Sequence, residues 1–515
     1  MHTKLTLTNS LCVFADKFTT LLTNSETEKM ENNNNVSRNE EWRVELRSSI
    51  SPKERAAIER VEMPQLDPAY RITCNEEVNQ GITEEQAVRE ATRCLDCNNP
   101  QCVTGCPVGI DIPKFIKNIE RRHFADAAAT LKETSSLPAV CGRVCPQEKQ
   151  CESKCIRLKM KQPAVAIGYL ERFAADWQRN SGEEEAVKME PKNGIKVAVV
   201  GSGPSGLSFA GDMAKKGFDV TVFEALHEIG GVLKYGIPEF RLPNAVVDHE
   251  IEGLRKMGVD FQKDVLIGRT ITYDDLHAMG FKGIFVGSGA GFPRFMNIPG
   301  ENLNGVMSSN EYLTRINLMQ AGRGGDTPVI TGDTVAVVGG GNTAMDSTRT
   351  ALRMGAKRVI LVYRRSEAEM PARLEEIGHA KEEGVELMTL HNPVEYIGDE
   401  KGRVCAMKVQ RMELGEPDAS GRRSPIPVEG AIEEIPVDVV IVAVGVSPNS
   451  LVPRSIDGLE VSRRGTIVVN DESMQSNISD LYAGGDIVRG GATVILAMGD
   501  GRKAAQNMAK TLLEK

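Results

Sequence analysis

Two strand–turn–helix segments with glycine-rich turns constrain the fold of this chain more than any other feature. Each turn follows a run of apolar residues that reads as a buried strand, and the two turns begin 138 residues apart (339 − 201). The turns are Gly201-Ser-Gly203-Pro-Ser-Gly206 and Gly339-Gly-Gly341-Asn342-Thr-Ala344. A glycine turn between a parallel strand and a helix is typical of Rossmann-like dinucleotide-binding domains. The sequence therefore predicts an α/β protein with two such domains.

The first turn is predicted to bind FAD. Its glycines permit a tight turn and a close approach of the backbone to a pyrophosphate at a helix N-terminus. The next strand, Val220–Phe223, ends on Glu224, whose carboxylate can accept hydrogen bonds from ribose hydroxyls. Gly485 and Asp486 follow a later strand end and precede a helix predicted over 492–505, and in two-nucleotide flavoproteins such an aspartate holds the flavin's ribityl chain. An ordinary glycine turn is the alternative.

The second turn is predicted to select NADP over NAD. The strand after Gly339, Gly341, Asn342 and Ala344 ends on two arginines instead of an acid, Arg364 and Arg365. A 2′-phosphate is a dianion that a carboxylate would repel, whereas a guanidinium can hold it with two parallel hydrogen bonds. Two solvated arginines at a strand end are the alternative interpretation.

Eight of the 11 cysteines lie between positions 94 and 155. They form the groups Cys94-x2-Cys97-x4-Cys102-x3-Cys106 and Cys141-x3-Cys145-x5-Cys151-x3-Cys155. Eight closely spaced thiolates, with the first group ending in Cys-Pro, suit two [4Fe-4S] clusters. Structural zinc is the main alternative, because zinc also takes four thiolates, although it would carry no electrons from a flavin. Disulfides are disfavoured in a long chain of intracellular character.

The remaining chemistry-bearing residues form no further motif. Cys12, Cys74 and Cys405 stand alone, and the seven histidines do not cluster. The nucleotide-binding half has no CxxC pair with which to exchange disulfides. We therefore predict no catalytic side chain, and expect flavin-mediated hydride transfer instead.

Charge and hydropathy exclude other classes of protein. A net charge of −9 over 515 residues, without a long basic block, favours neither nucleic acid nor an anionic membrane as a partner. No run of 18 apolar residues occurs, and the N-terminal segment lacks the apolar core of a signal peptide. The expected location is cytoplasmic.

Five segments are predicted along the chain. Residues 1–43 are polar and include four consecutive asparagines, so they are predicted to form a disordered tail in which Met30 could be the true start. Residues 44–180 are predicted to form a helical iron–sulfur domain, with helix starts indicated after Thr83 and at residues 113–116. The FAD-binding domain is predicted in two parts, 195–310 and 449–515, with the NADP-binding domain, 311–448, inserted between them.

Together these motifs resemble the small (beta) subunit family of glutamate synthase. The resemblance runs from about Met63 to the C-terminus and includes both cysteine groups, both glycine turns and the segment Tyr235-Gly-Ile-Pro-Glu-Phe-Arg241. The family includes the large subunit of NADH-dependent reduced ferredoxin:NADP oxidoreductase and the N-terminal half of dihydropyrimidine dehydrogenase. The resemblance implies a double-cubane helical domain before two Rossmann-like domains, and implies FAD, NADPH and two [4Fe-4S] clusters as cofactors.

The resemblance also implies ligands for the clusters. It assigns Cys94, Cys97, Cys102 and Cys155 to one cluster and Cys106, Cys145 and Cys151 to the other. The fourth ligand of the second cluster stays open between Glu171, which corresponds to a polar ligand of dihydropyrimidine dehydrogenase, and Cys141. The resemblance further places the Tyr235–Arg241 loop beside the flavin, with Gly231 and Arg241 as candidate contacts.

Three functions are compatible with these features. The first is an NADPH-dependent flavin and iron–sulfur oxidoreductase that supplies electrons to a large catalytic subunit of the glutamate synthase kind, whose amidotransferase domain and FMN barrel this chain lacks. The second is the large subunit of an electron-bifurcating ferredoxin:NADP oxidoreductase, with a small flavoprotein subunit or ferredoxin as its partner. The third is a non-catalytic module that senses NADP or redox state.

Overall fold

The computed structural model describes residues 37–182, 187–321, 325–419 and 421–514. Most of the predicted tail, with Cys12 and the candidate start Met30, lies outside the described residues. Within the described residues, helix α1 (Glu41–Ser49) begins inside the predicted tail, which extends to residue 43. Arg43 explains the difference, because it is buried and donates hydrogen bonds of 2.7 and 3.2 Å to the Asp96 carboxylate.

Short helices form the N-terminal domain. Two of them begin where the sequence indicates, since Thr83 forms a reciprocal cap with Gln86 and the Asp111 carboxylate accepts a hydrogen bond from a first-turn N–H (3.1 Å). Phe124 meets the edge of Phe173 in the apolar core, with ring centroids 5.1 Å apart. After α1 the helices are α2 (Pro52–Ala57), α3 (Pro68–Arg71), α4 (Glu84–Thr92), α5 (Gln101–Thr104), α6 (Ile112–Glu120), α7 (Phe124–Lys132), α8 (Pro138–Val144), α9 (Ile156–Lys159) and α10 (Ile167–Ser181).

Strands and helices alternate through the rest of the chain. The strands are β1 (Lys196–Val200), β2 (Asp219–Phe223), β3 (Asp260–Gln262), β4 (Gly283–Val286), β5 (Phe292–Pro293), β6 (Val306–Ser308), β7 (Thr334–Val338), β8 (Arg358–Tyr363), β9 (Glu386–Thr389), β10 (His391–Gly398), β11 (Val404–Pro417), β12 (Arg423–Pro436), β13 (Val439–Val442), β14 (Val446–Ser447) and β15 (Leu481–Ala483). The helices are α11 (Pro204–Lys215), α12 (Val232–Tyr235), α13 (Asn244–Lys256), α14 (Tyr273–Ala278), α15 (Ser309–Leu313), α16 (Asn342–Arg353), α17 (Leu374–Glu382), α18 (Leu451–Arg454), α19 (Asp486–Arg489) and α20 (Val494–Leu513).

The first nucleotide-binding sheet has the strand order β15-β4-β1-β2-β3, and all of its strands are parallel. β1 lies at the centre and carries the first glycine turn at its carboxyl end. Its residues 197–200 are all buried, as expected for a parallel strand whose two faces are both covered. Because β15 joins this sheet after the second domain, the predicted insertion of one domain into the other is confirmed.

The second sheet has the parallel order β6-β13-β7-β8-β9, and β7 carries the second glycine turn. β6 falls in the segment 195–310, which is predicted to be the first part of the FAD-binding domain, but it pairs with β13 of the second sheet. The chain crosses between the domains earlier, where β5 pairs with β14 in an antiparallel bridge. The short β6 has no distinctive pattern, so only its pairing reveals where the second domain begins.

An antiparallel sheet, β10-β11-β12, extends the second domain and was not predicted from the sequence. Met407 and Val409 on β11 pack with β7, β8 and β13 in a buried apolar cluster. Among the described residues, no helix is both long enough and apolar enough to cross a bilayer.

Candidate functional site

The first glycine turn leaves no room for a side chain at Gly201 or Gly206. Gly201 has φ +99°, and a Cβ on it would lie 2.7 Å from the Gly287 carbonyl oxygen. A Cβ on Gly206 would lie 2.0 Å from the Gly201 carbonyl oxygen. Gly203 precedes α11 without any side-chain cap, so the first N–H groups of this helix are free to bind an anion. The turn therefore fits a pyrophosphate.

Glu224 lies buried against the same turn, directly after β2. Its carboxylate accepts hydrogen bonds from the Ser202 N–H (2.9 Å) and the Ser202 hydroxyl (2.5 Å). One carboxylate oxygen also accepts from the Leu226 N–H (2.9 Å). The acid thus lies beside the turn as the sequence indicates, while its contact with a ribose stays a prediction.

Residues far apart in the sequence meet at the carboxyl edge of the first sheet. A Cβ on Gly231, where φ is +54°, would lie 2.9 Å from the Gly203 Cα. Gly485, at φ +78°, packs equally closely on Ser205, since a Cβ there would lie 3.0 Å from the Ser205 Cβ. Asp486 begins α19, and burial raises the pKa of its carboxyl group. The structure therefore brings three separately predicted FAD-binding segments together.

Two serine hydroxyls at this edge are buried without a partner among the described residues. The hydroxyls of Ser205 and Ser288 are buried and have no hydrogen-bond partner in the described part of the chain. Burial, together with the carboxylates of Asp486 and Glu224, raises the pKa of Tyr235 to about 12. A buried hydroxyl without a partner is costly, so these groups fit a bound cofactor that supplies the missing hydrogen bonds. The sequence did not single out either serine.

Arg241 joins the two nucleotide-binding domains, which the sequence did not predict. Its Nη1 lies 2.7 Å from both oxygens of Asp346 on α16, and its Nε lies 3.1 Å from Glu376 on α17. The three side chains are buried. Burial raises the pKa of Asp346 to about 6 although Arg241 acts in the opposite direction. The predicted contact between Arg241 and FAD stays a prediction.

The second glycine turn is also tightly built. A Cβ on Gly339, at φ +147°, would lie 2.4 Å from the Ala443 carbonyl oxygen. Gly341 precedes α16 without a side-chain cap, and Ala344 is fully buried on that helix. The Asn342 side-chain oxygen accepts a hydrogen bond from the Arg373 N–H (2.9 Å). Asn342 therefore orients the segment before α17 in addition to forming the turn.

The two candidate 2′-phosphate arginines have different surroundings. Arg364 is exposed and makes no side-chain hydrogen bond to another described residue. Arg365 is buried, and its guanidinium donates to the Arg423 carbonyl (2.7 Å) and to Asp418 (2.6 Å). Arg365 thus holds the β11–β12 hairpin, and the free guanidinium of this pair belongs to Arg364.

A cavity of about 480 Å³ adjoins the second turn, a size that suits a small ligand. Its lining includes Pro371, whose ring approaches Gly341, and Lys149 of the helical domain. Lys149 donates hydrogen bonds to the carbonyls of Pro371 (2.9 Å) and Ala372 (2.8 Å). The neighbouring Arg373 is buried and reaches the Arg143 carbonyl (2.6 Å). The helical domain therefore packs directly against the second turn.

The first group of thiols gathers Cys94, Cys97, Cys102 and Cys155. Burial raises the pKa of Cys94 to about 12, although the Lys117 ammonium acts in the opposite direction. Burial and the other three thiols raise the pKa of Cys102 well above its usual value. Burial and the nearby Cys155 raise that of Cys97. Three thiols of one segment and Cys155 of another therefore lie close enough to affect one another's pKa.

The second group gathers Cys106, Cys145 and Cys151 around Glu171. Burial and Glu171 raise the pKa of Cys106, to about 12, and that of Cys151. Burial raises the pKa of Glu171 itself to about 8, and its Oε1 has no hydrogen-bond partner among the described residues. The Cys141 thiol lies in the same group, because it forms a hydrogen bond with the Cys145 thiol, and its Sγ also lies 3.4 Å from the Met498 Sδ. The unpartnered carboxylate favours Glu171 over Cys141 as the fourth ligand of this group.

The arrangement of the donors tests which metal group would fit. A single tetrahedral zinc ion, with Zn–S bonds of about 2.3 Å, draws its sulfurs to within about 4 Å of one another. Within the described residues, no three His, Cys, Asp or Glu side chains are grouped closely enough to hold one ion. Two sets of thiols that raise one another's pKa are compatible with the larger [4Fe-4S] cluster.

Two protein families match the two parts of the chain. The family described as "Pyridine nucleotide-disulphide oxidoreductase" matches residues 195–501, and that described as "Dihydropyrimidine dehydrogenase domain II, 4Fe-4S cluster" matches residues 71–183. The second match covers both cysteine groups, and the first covers both glycine turns.

Individual relatives match most of the chain. The glutamate synthase [NADPH] small chain of Escherichia coli is 36% identical over 88% of this chain and 98% of its own length. The beta subunit of an NADP(+)-dependent formate dehydrogenase of Moorella thermoacetica is 37% identical over 80% of this chain, but only 60% of its own length is matched. The structure of Mycobacterium tuberculosis FprA in complex with NADPH is similar in fold, with a TM-score of 0.53 and 20% identity over 62% of this chain and 85% of FprA.

Proposed function

This chain belongs to the pyridine nucleotide-disulphide oxidoreductase family, among the glutamate synthase small chains and their relatives, and we propose that it carries electrons from NADPH to a partner protein. It is an NADP-dependent oxidoreductase with FAD and [4Fe-4S] clusters as cofactors. In the proposed route NADPH binds at the second glycine turn, FAD at the first, and the clusters at the two cysteine groups.

The observation that carries this proposal is the contact between the second cysteine group and α20. The Cys141 thiol lies 3.4 Å from the Met498 thioether on α20. One residue on, a Cβ at Gly499 would lie 2.9 Å from the carbonyl oxygen of Pro107, which follows Cys106. α20 also packs on the first glycine turn, because a Cβ on Gly501 would lie 2.2 Å from the Ser205 carbonyl oxygen. The same helix therefore contacts both the candidate flavin site and the second cysteine group. This adjacency supports direct electron transfer between them.

The chain's own residues would bind and orient each group. FAD would be held by Gly201, Gly203, Gly206, Glu224, Gly231, Gly485 and Asp486, and the clusters by Cys94, Cys97, Cys102 and Cys155 and by Cys106, Cys145, Cys151 and Glu171. When bound, the flavin supplies the conversion of a two-electron hydride donor into a source of single electrons. The buried Lys117 ammonium, which donates to the Cys94 carbonyl (2.6 Å), would offset negative charge at the first cysteine group.

NADPH would be held by Gly339, Gly341, Asn342 and Ala344 together with Arg364 and Arg365. We assign the direct 2′-phosphate contact to Arg364, because its guanidinium is exposed. Arg365 would act by fixing the hairpin beside it through Arg423 and Asp418.

An anaerobic titration of the reconstituted protein with NADPH tests the route. Bleaching of the flavin band, EPR signals from reduced clusters and eight irons per chain are expected. A flavin that NADPH does not reduce, or zinc in place of iron, would refute the proposal and leave the sensing module as the better interpretation.

The nucleotide preference has a separate test. Replacing Arg364 by alanine should raise the KM for NADPH at least about tenfold with little effect on that for NADH, because one charge-assisted contact is lost. Arg463 and Arg464 form a matched control, an exposed arginine pair outside the second domain. Equal effects of the Arg364 variant on both nucleotides would contradict the assignment.

The protein is also expected to work with a partner subunit. Related chains are named as small or beta subunits, which favours a partner subunit. We propose a large catalytic subunit like that of glutamate synthase, with a small flavoprotein subunit or ferredoxin as the alternative, in the cytoplasm.

A further inference from the structure

The segment after Cys155 exposes its apolar side chains and buries its arginine. Ile156, Leu158 and Met160 are 38%, 45% and 45% exposed, whereas the arginine among them, Arg157, is only 1% exposed. Single exposed apolar residues are common on soluble proteins, but three within five consecutive positions form a patch. Such a patch indicates a binding surface.

Arg157 fixes the backbone that presents this patch. Its guanidinium makes no ion pair with a described carboxylate and donates instead to backbone carbonyls, those of Arg55, Ala56, Ile58, Arg93 and Pro163. Five anchoring hydrogen bonds hold α9 and the turn after it against the domain. The apolar side chains are therefore exposed because the backbone is held in place, and not because the segment is frayed.

Lysines surround the apolar side chains. Lys154, Lys159 and Lys161 are exposed, and none of them pairs with a carboxylate in the described part of the chain. The one acid between residues 149 and 163, Glu152, is buried and pairs with Arg60 (2.8 Å). On a chain with a net charge of −9, this is a local basic surface.

The patch adjoins the more exposed of the two cysteine groups. Cys155 immediately precedes Ile156, and the four cysteines of the first group are all partly exposed. In the second group Cys145 and Cys151 are buried. Electrons that leave for another protein would therefore leave from the first group, next to the patch.

We propose that the surface formed by Ile156, Leu158 and Met160 with Lys154, Lys159 and Lys161 docks the electron-accepting protein, and that this acceptor presents acidic side chains around an apolar centre. The proposal rests on the proposed function and identifies the kind of partner. Each NADPH gives two electrons and one proton on becoming NADP⁺. Two one-electron acceptors are each reduced once, and the proton is released to solvent.

Two forms of cytochrome c test the docking surface, because they share one redox centre but carry opposite net charges. The holoprotein is first reduced with dithionite, so that the assay does not depend on NADPH. It is then mixed with succinylated cytochrome c, which is acidic, or with native cytochrome c, which is basic. The second-order rate constant for the acidic form should be the larger and should fall with ionic strength.

Variants locate the effect on the patch. Replacing Lys154, Lys159 and Lys161 by glutamate should lower the rate with acidic cytochrome c about tenfold or more and raise it with the native form. The Ile156→Ser, Leu158→Ser, Met160→Ser variant should lower the rate with both forms, at high salt as well. Exposed lysines of the other domains form the matched control, Lys282, Lys401 and Lys510.

Each outcome decides the proposal. Equal effects of the patch and control glutamate variants, or a preference of the wild type for basic cytochrome c, would overturn it. Reduction of the clusters by NADPH is followed separately by EPR. A failure of that step would refute the proposed function while the dithionite assay still reports on docking.

Discussion

Glu250 should make the packing of the helical domain on the first nucleotide-binding domain sensitive to pH. It is buried on α13, and its carboxylate accepts a hydrogen bond from the Ala139 N–H of α8 (2.7 Å). Burial raises its pKa from 4.5 to about 7. At about 1.4 kcal/mol per pKa unit, ionised Glu250 destabilises the folded protein by about 3 kcal/mol at pH 8.

Protonated Glu250 makes the folded protein more stable at low pH than at high pH. Because the folded-state pKa lies above the unfolded one, the stability linked to the protonated form is complete below about pH 4.5 and is lost as the pH rises through 7. Glu250→Gln keeps the shape and the acceptor but cannot ionise. The free energy of unfolding of the variant should therefore exceed that of the wild type by about 3 kcal/mol at pH 8, and by less than about 1 kcal/mol at pH 5.

Thermal unfolding at one scan rate measures this difference. For a domain of this size, about 3 kcal/mol corresponds to a rise in Tm of roughly 5–10 °C. Glu252→Gln is the control, because Glu252 is exposed on the same helix and should show little change at either pH. A Tm difference between the Glu250 variant and the wild type that is the same at pH 5 and pH 8 would refute the reasoning.

Further variants test the candidate sites. Glu171→Ala should remove the EPR signal of one cluster and about half of the iron, whereas Cys141→Ser should keep both; the reverse result would assign the ligand to Cys141. Gly206→Ala should lower the flavin-to-protein absorbance ratio several-fold, because its Cβ would lie 2.0 Å from the Gly201 carbonyl oxygen, and full flavin content would contradict the geometry. Arg241→Met leaves the buried Asp346 carboxylate without its partner and leaves Glu376 with Arg349 alone, so it should destabilise the protein by about 3–5 kcal/mol. An unchanged Tm would show that these carboxylates are not ionised.

Local patterns in the sequence predicted the parts of the fold that depend on neighbouring residues. A glycine turn after an apolar run predicted both β1–α11 and β7–α16, since strand, turn and helix are continuous in the sequence. The cap at Thr83 likewise predicted the start of α4. The cysteine spacing indicated two groups of four but not their exact membership, because Cys155 joins the first group and Cys106 the second only when distant segments meet.

The parts that were not predicted depend on contacts between distant segments. Nothing beside Arg365 in the sequence indicates Asp418, and nothing beside Arg241 indicates Asp346, yet these carboxylates determine where the guanidinium groups lie. Nothing in the sequence indicates that the buried Ser205 hydroxyl has no hydrogen-bond partner among the described residues. Such features arise only when separate elements meet, so a motif can identify a candidate residue without identifying its partner.

One buried ionic network joins the three domains and limits their relative motion. The Glu383 carboxylate, just after α17, forms ion pairs with Arg71 of the helical domain (2.7 Å) and with Arg349 of α16 (2.8 Å). Burial would raise the pKa of Glu383, but the surrounding guanidinium groups lower it to about 2, so it stays ionised. Glu376 is shared in the same way between Arg241 of the FAD-binding domain and Arg349. Interfaces between domains generally permit rotation, but rotating the second domain here would leave several buried charges unpaired, at a cost of about 3–5 kcal/mol for each broken pair. We therefore expect NADPH oxidation and electron exit to proceed in a single arrangement of the domains.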